Sequence, residues 1–200
     1  RWKRPLSQMQ QQGERMQTLL NDLLLLAKLE ATDYPSDNQP VQVERLLRTV
    51  KSDAQALSGQ RNQTITLEAQ ADVALKGSET ELRSAFSNLV FNAVKYTPDG
   101  GSIRIRWWAD ASGAHLSVQD SGVGIDSKHL PRLTERFYRV DSSRNASTGG
   151  TGLGLAIVKH VLLRHRARLE ISSVLGHGST FTCHFAPVQV TKTLSVDLID

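Results

Sequence analysis

Apolar residues along the chain change period, and the change divides it. Over residues 7–30 they recur at helical spacing. Met9, Met16 and Leu23 stand seven apart, and Leu19 and Leu26 fill the alternate seam of a short heptad pattern. Leu20, Leu24, Leu25 and Leu29 widen the apolar surface beyond one stripe. That predicts a helix buried on several sides, as in a helical bundle, and self-association through it. Residues 31–40 are rich in turn formers, with Pro35 and Pro40 among them, and read as a linker.

Beyond the linker the pattern mixes two periods. Leu46, Leu47, Val50, Ala54 and Leu57 predict a helix over 44–58, with Gly59 as its stop. Residues 64–68 and 73–76 read as short strands, and 79–96 as a second helix closed by Pro98, Gly100 and Gly101. Ile103, Ile105 and Trp107 alternate with Arg104, Arg106 and Trp108, the period of a half-buried strand, and Leu116 and Val118 continue it as a hairpin partner. A polar, glycine-dotted stretch at 141–152 precedes a helix over 153–166, and strands at 168–174 and 179–187 follow. The order is no clean βαβ alternation. It predicts an α+β fold in which a mixed sheet backs three helices, preceded by one long helix. The expected division is 1–34 for the long helix, 35–40 for the linker, 41–187 for the α+β domain and 188–200 for a tail without a motif.

Composition narrows the class without naming an activity. At 200 residues, 39% hydrophobic and 22% charged, the chain is neither disordered nor fibrous. No apolar run approaches the roughly 20 residues of a membrane span. The opening Arg1, Trp2, Lys3 and Arg4 are not those of a signal peptide. A lone cysteine, Cys183, excludes an internal disulfide framework and suits a reducing compartment. A net charge of +4 admits an anionic ligand without calling for nucleic acid. The expectation is a soluble, intracellular protein and, with no initiator Met, a piece of a longer one.

Four polar clusters fall at the ends of predicted elements. Asn88, Asn92 and Lys95 are spaced four and three apart on the second helix and so share one face. Asparagine is a poor helix former, and an amide oxygen with phosphate oxygens and waters is a set that Mg²⁺ accepts. Buried amides satisfying loop groups would read the same way. Asp120, Gly122, Gly124 and Ile125 follow a strand. The glycines allow a planar ligand close to the backbone. An ionised Asp only accepts hydrogen bonds, which suits an adenine amino group and opposes guanine. Alone, this pattern is more often a turn than a site. Gly150, Thr151, Gly152, Leu153 and Gly154 open a helix, where free N–H groups and the dipole favour an anion. No Walker A lysine follows them, and their position is not that of a Rossmann fingerprint. The polar loop before them has few anchors and reads as a lid. Gly176, His177, Gly178, Ser179 and Thr180 read as a hairpin turn.

Jointly, the order and separation of these clusters resemble the catalytic and ATP-binding domain of bacterial sensor histidine kinases, within the gyrase–Hsp90–kinase–MutL superfamily. Asn88 to Pro98 is similar to the N box of that family. Asp120 to Gly124 is similar to its first glycine box, Glu135 to Arg139 to its F box, Gly150 to Leu155 to its second glycine box, and Gly176 to Phe181 to its last. The likeness runs over 16–187 and within the family is greatest to phosphate-regulon-type sensors. Residues 16–30 look like the second helix of the dimerisation and phosphotransfer hairpin. The resemblance implies ATP and Mg²⁺ as cofactors, with Asn92 as the metal ligand and Asn88 and Lys95 at the phosphates. It implies Tyr96 beside the adenine, Asp120 on its amino group with Gly122, Gly124 and Ile125 around it, and Thr180 behind Asp120. Arg139 would reach the γ-phosphate, and Gly150, Thr151, Gly152, Leu153 and Gly154 would form the phosphate end of the lid. A two-layer α/β sandwich, a homodimer and a response-regulator receiver domain as partner are implied with them. So is a cytoplasmic location in a parent anchored in the inner membrane.

Two departures refine that expectation. Hydrolysing members of the superfamily carry a glutamate base four residues before the metal-ligand Asn. Here that position is Asn88, whose amide takes no proton at neutral pH. Phosphoryl transfer to another acceptor is therefore expected over a hydrolytic ATPase clamp or an adaptor with a dead nucleotide site. None of the six histidines (His115, His129, His160, His165, His177 and His184) lies in the first helix or in the family's acceptor box. The phosphorylated residue is expected outside these 200 residues. Elsewhere the residues read as structure. Trp107 packs inward with Trp108 outward, Cys183 is a core residue, and the run from Arg164 to Arg168 is a solvated helix end.

Overall fold

The computed structural model describes residues 3–140 and 150–192. Helix α1 (Lys3–Glu30) leads, followed by β1 (Gln39–Val41), α2 (Val43–Ser58), β2 (Thr64–Ala69), β3 (Val73–Gly77) and α3 (Glu79–Tyr96). Next come β4 (Ser102–Asp110), β5 (Gly113–Asp120), α4 (Gly154–Arg164), β6 (Ala167–Val174), β7 (Gly178–Phe185) and β8 (Val190–Lys192).

The main sheet has the order β2-β4-β5-β7-β6. β2 runs parallel to β4, and the other neighbours pair antiparallel. One face is apolar: Ile103, Ile105 and Trp107 of β4 and Ala114, Leu116 and Val118 of β5 are buried, while Arg104 and Arg106 point away. Helices α2, α3 and α4 cover that apolar face, with Leu47, Leu82, Phe86, Leu89 and Ile157 in the shared core. Phe185 meets the edges of Phe86 and Trp107 at centroid distances of 6.2 and 6.1 Å, the geometry that aromatic quadrupoles favour. The layer of helices on one face of a mixed sheet expected from the pattern, and the two-layer sandwich that the resemblance implies, are the fold found. Trp107 and Cys183 lie inside it, and Trp108 on the outer face.

Four features depart from the sequence reading. First, β3 lies outside the main sheet, because β2 already occupies the free edge of β4. It pairs instead with β1 and β8 in a second, antiparallel sheet. Residues 188–192, read as tail, are thereby built into the fold, and 193–200 lie outside the described residues.

Second, α1 is not buried on several sides. Leu26 and Leu29 are in the core, but Met9, Met16, Leu20 and Leu24 are exposed, since only the last turns of α1 lie against α4. Third, the end of α4 is not solvated. Arg164 and His165 are 6% and 0% exposed. The Arg164 guanidinium donates to both carboxylate oxygens of Glu81 at 3.0 and 2.9 Å, and also to the Leu29 and Thr32 carbonyls and the Thr32 hydroxyl. A buried charge needs such partners, and only tertiary structure supplies them. His165 donates from Nδ1 to the Val161 carbonyl at 2.7 Å and accepts the Ser78 N–H at 3.1 Å, so it is neutral, and burial pushes its pKa down. Fourth, the stretch after α1 is held as well, with the Ser36 N–H donating to Glu81 at 3.1 Å.

Candidate functional site

Helix α3 begins at Ser78, whose hydroxyl accepts the Glu81 N–H, and its buried face runs through Leu82, Phe86, Leu89, Val90, Ala93 and Val94. That packing leaves Asn88, Asn92 and Lys95 half-buried along the flank that faces the glycine loop. Asn88 Nδ2 donates to the Ser84 carbonyl at 2.9 Å, which turns its Oδ1 toward α4. A Cβ added at Gly154 would lie 2.6 Å from that oxygen, and one at Gly150 would lie 2.6 Å from Lys95 Nζ. The glycines of the loop therefore keep open the space into which Asn88 and Lys95 project. The Asn92 side chain has no hydrogen-bond partner among the described residues, although it is half-buried.

Lys95 is set between burial and the charge of Arg139, and both hold its ammonium below the ordinary lysine range. An anion placed here would supply the missing countercharge. Nζ also lies 5.0 Å from the ring centroid of Tyr96, which shields one side of it.

The other wall is the end of β5. Asp120 is buried at 8% exposure, and burial raises its pKa against the backbone N–H groups of Gly122 and Ser179, which lower it. Gly122 donates at 2.8 Å, and a Cβ there would meet the Tyr96 carbonyl at 2.6 Å. Gly124 has φ +68° and sits against the Val174 carbonyl, leaving no room for a side chain. Ile125 is fixed by donating its N–H to Ser173 Oγ at 2.8 Å and packs against the core. The result is a carboxylate with spare acceptor capacity at the floor of a backbone-lined slot, suited to a planar ligand with an amino group.

The glycine loop enters α4 at Gly154. Gly152 has φ +74°, and its carbonyl accepts the Phe137 N–H at 2.9 Å, which ties the segment from Glu135 to Arg139 to the loop. Thr151 accepts the Leu153 N–H and donates its hydroxyl to Asp22 of α1 at 2.8 Å. Glu30 of α1 pairs with Arg136 and lies 3.3 Å from His160. These contacts of α1 escaped the sequence reading, because no local pattern marks an Asp or Glu that pairs across 129 residues. The lid expected at 141–149 lies outside the described residues.

Thr180 requires correction. It stands opposite Gln119, on the outer face of the sheet, whereas Ser179 stands opposite Asp120 and supplies the N–H noted above. Alternation from Phe181, Cys183 and Phe185, all inward, would have placed Ser179 in and Thr180 out.

The chemistry of the donors fits a magnesium nucleotide. A half-buried amide oxygen without a partner among the described residues is a hard ligand of the kind Mg²⁺ takes together with phosphate oxygens and water. Among the described residues no cluster of three or more His, Cys, Asp or Glu competes as a metal site.

Comparison with known proteins identifies the family and the fold. The family model described as histidine kinase-, DNA gyrase B-, and HSP90-like ATPase matches residues 77–189. The phosphate regulon sensor protein PhoR of Pseudomonas aeruginosa is 77% identical over 192 residues, covering 96% of this chain and 43% of that protein. Its Haemophilus influenzae counterpart is 41% identical, over 90% of this chain and 42% of the relative. The chain thus spans about two-fifths of the length of these relatives. Among solved structures, full-length ShkA in complex with AMPPNP superposes at a TM-score of 0.80 with 27% identity, covering 96% of this chain and 40% of that one. No described helix is long and apolar enough to cross a membrane.

Proposed function

The chain belongs to the histidine kinase-, DNA gyrase B-, and HSP90-like ATPase family, and on that premise we propose that it is the ATP-binding catalytic part of a two-component sensor histidine kinase. It would transfer the γ-phosphoryl group of Mg·ATP to a histidine outside these 200 residues. From there the group would pass to an aspartate of a response regulator.

The observation that carries this reading is the pairing of Asp120 with the flank of α3. A buried acceptor for the adenine amino group lies at one end of the site. Asn88, Asn92 and Lys95 lie at the other, beside a glycine loop that opens a helix. Asn92 would hold Mg²⁺, which neutralises phosphate charge when bound. Lys95 and the N–H groups of the loop would hold the phosphates, and Arg139 lies close enough to Lys95 to share that task. In the transfer, an imidazole nitrogen attacks the γ-phosphorus and the bond to the β-phosphate oxygen breaks, with ADP leaving. Asn88 cannot deprotonate water, which supports transfer over hydrolysis. The exposed Met9, Met16, Leu20 and Leu24 of α1 support a homodimer formed through that helix. A cytoplasmic domain of a membrane-anchored parent and a division of the chain at 35–40 belong to the same reading.

The test is binding of Mg·ATP by this chain, followed by phosphorylation of a longer chain that carries the acceptor helix. Acid-labile, base-stable phosphate on a histidine is expected. No nucleotide binding would make the chain an adaptor, and rapid steady hydrolysis lost on changing Asn88 would make it an ATPase clamp.

A further inference from the structure

On the outer face of the main sheet, far along β5 from Asp120, lies a row that the nucleotide reading does not use. Strand register sets Trp108, His115, His184 and Arg168 side by side across β4, β5, β7 and β6. His115 is only 5% exposed, with its ring 5.1 Å from that of Trp108 and 5.0 Å from that of His184. The two imidazoles meet Nδ1 to Nδ1 at 2.8 Å. Their outer nitrogens face carboxylates: His115 Nε2 is 3.1 Å from Asp110 Oδ1, and His184 Nε2 is 3.2 Å from Glu170 Oε2. Ser112 Oγ is 3.2 Å from His115 Nε2, but its own proton goes to Asp110 at 2.6 Å, so that nitrogen meets acceptors only.

The number of protons on the two rings fixes the charge of the row. Three contacts in line, carboxylate–imidazole, imidazole–imidazole and imidazole–carboxylate, need three N–H protons. Two neutral imidazoles bring two. With two, one of the three contacts lacks its proton. With three, the line is complete and the pair carries one positive charge between two carboxylates. With four, two N–H groups point at each other across 2.8 Å and repel.

We propose that His115 and His184 form a proton-binding pair that holds one shared extra proton between Asp110 and Glu170, a pH-sensitive link joining β4, β5, β7 and β6. The charges around it are mixed. Asp110 is held well below the usual carboxylate range by the Ser112 hydroxyl first and His115 second, so it stays ionised as an acceptor. Arg168 lies 3.4 Å from Glu170, Arg166 lines a cavity of about 320 Å³ beside the pair, and Arg106 sits over the Trp108 ring. These cations oppose a second positive charge. Burial, and then Arg168 and His115, push the pKa of His184 down, which agrees with resistance to the fourth proton.

The third proton completes a hydrogen-bonded line that only the folded chain has, so stability is expected to rise as pH falls through that step. The fourth binds the folded chain less tightly, so stability falls as pH drops further. Nothing in this rests on the identity of the nucleotide or of the acceptor.

Nitrogen-15 spectra of the histidine rings, recorded across pH on the whole chain, test the proposal directly. We expect both rings to report two shared steps separated by more than about one pH unit, and a maximum of Tm between them. H184Q, at the partly exposed end of the row, should leave His115 with a single step and abolish the maximum. Single, independent titrations of the two rings would overturn the proposal. So would stoichiometric binding of Zn²⁺ or Ni²⁺ that moves both Nδ1 signals, since the pair would then be a metal clamp. The wild-type titration decides the matter even where H184Q fails to fold.

Discussion

The Thr151 hydroxyl donates to the Asp22 carboxylate at 2.8 Å, joining the loop at the start of α4 to the C-terminal third of α1. One acidic side chain of α1 therefore sits at the end of the site proposed for the phosphates. Asp22→Asn keeps a hydrogen-bond acceptor and removes the charge. Mg·ATP should then bind about fivefold more tightly, roughly 1 kcal/mol, the scale of one partly screened charge. Calorimetric titration checks this, and unchanged or weaker binding would remove Asp22 from the electrostatics of the site.

Asp120→Asn should separate affinity from stability. Burial raises the pKa of Asp120, so the folded chain holds that proton more tightly than the unfolded one. Its ionisation therefore costs stability as pH rises from the unfolded pKa through the folded one. The variant should have a higher Tm at neutral pH and bind ATP at least about tenfold more weakly, the scale of one hydrogen bond to a charged group. In the wild type, ATP affinity should fall on acidification at a pH above that of an ordinary aspartate. Lower stability together with intact affinity would refute both roles.

Two glycines with left-handed backbone give a controlled pair. Gly124 (φ +68°) lies against the Val174 carbonyl, whereas Gly176 (φ +82°) faces open space. Gly176→Ala should cost only the left-handed conformation, about 1–2 kcal/mol. Gly124→Ala should cost clearly more and also displace the slot below Asp120. Equal losses in chemical denaturation would mean that the close approach does not constrain this segment.

Arg164→Met should destabilise by about 3–5 kcal/mol, because it leaves Glu81 buried without its countercharge. Adding Glu81→Leu should recover much of that loss, which a double-mutant cycle measures. A single variant within 1 kcal/mol of wild type would show that Glu81 finds other partners.

The sequence made most elements legible because each carries its own period: Ile103, Ile105 and Trp107 at two, Leu46, Leu47 and Val50 at the helical repeat. The glycine clusters were legible by their order, and the structure gathers Asn88, Lys95, Asp120, Gly122, Gly150 and Gly154 around one site. What escaped was set at long range. Nothing local distinguishes Arg164 from a solvated helix end until Glu81 arrives from 83 residues away. β1 and β8 have 3 residues each and exist because β3 needs backbone partners. The exposure of α1 is not legible in its sequence, because an apolar helix face announces that it will be covered, not by what.

The guanidinium of Arg164 grips the carbonyls of Leu29 and Thr32, so the end of α1 cannot swivel freely on the domain. With 28 residues, α1 is a rod of about 42 Å. A tilt of about five degrees at the gripped end moves the far tip by roughly 4 Å on that length. Read in reverse, the helix is a lever with its fulcrum at Arg164. A displacement of about 4 Å at Lys3 reaches Asp22, roughly 12 Å from the gripped end, as about 1 Å, enough to make or break its hydrogen bond to Thr151.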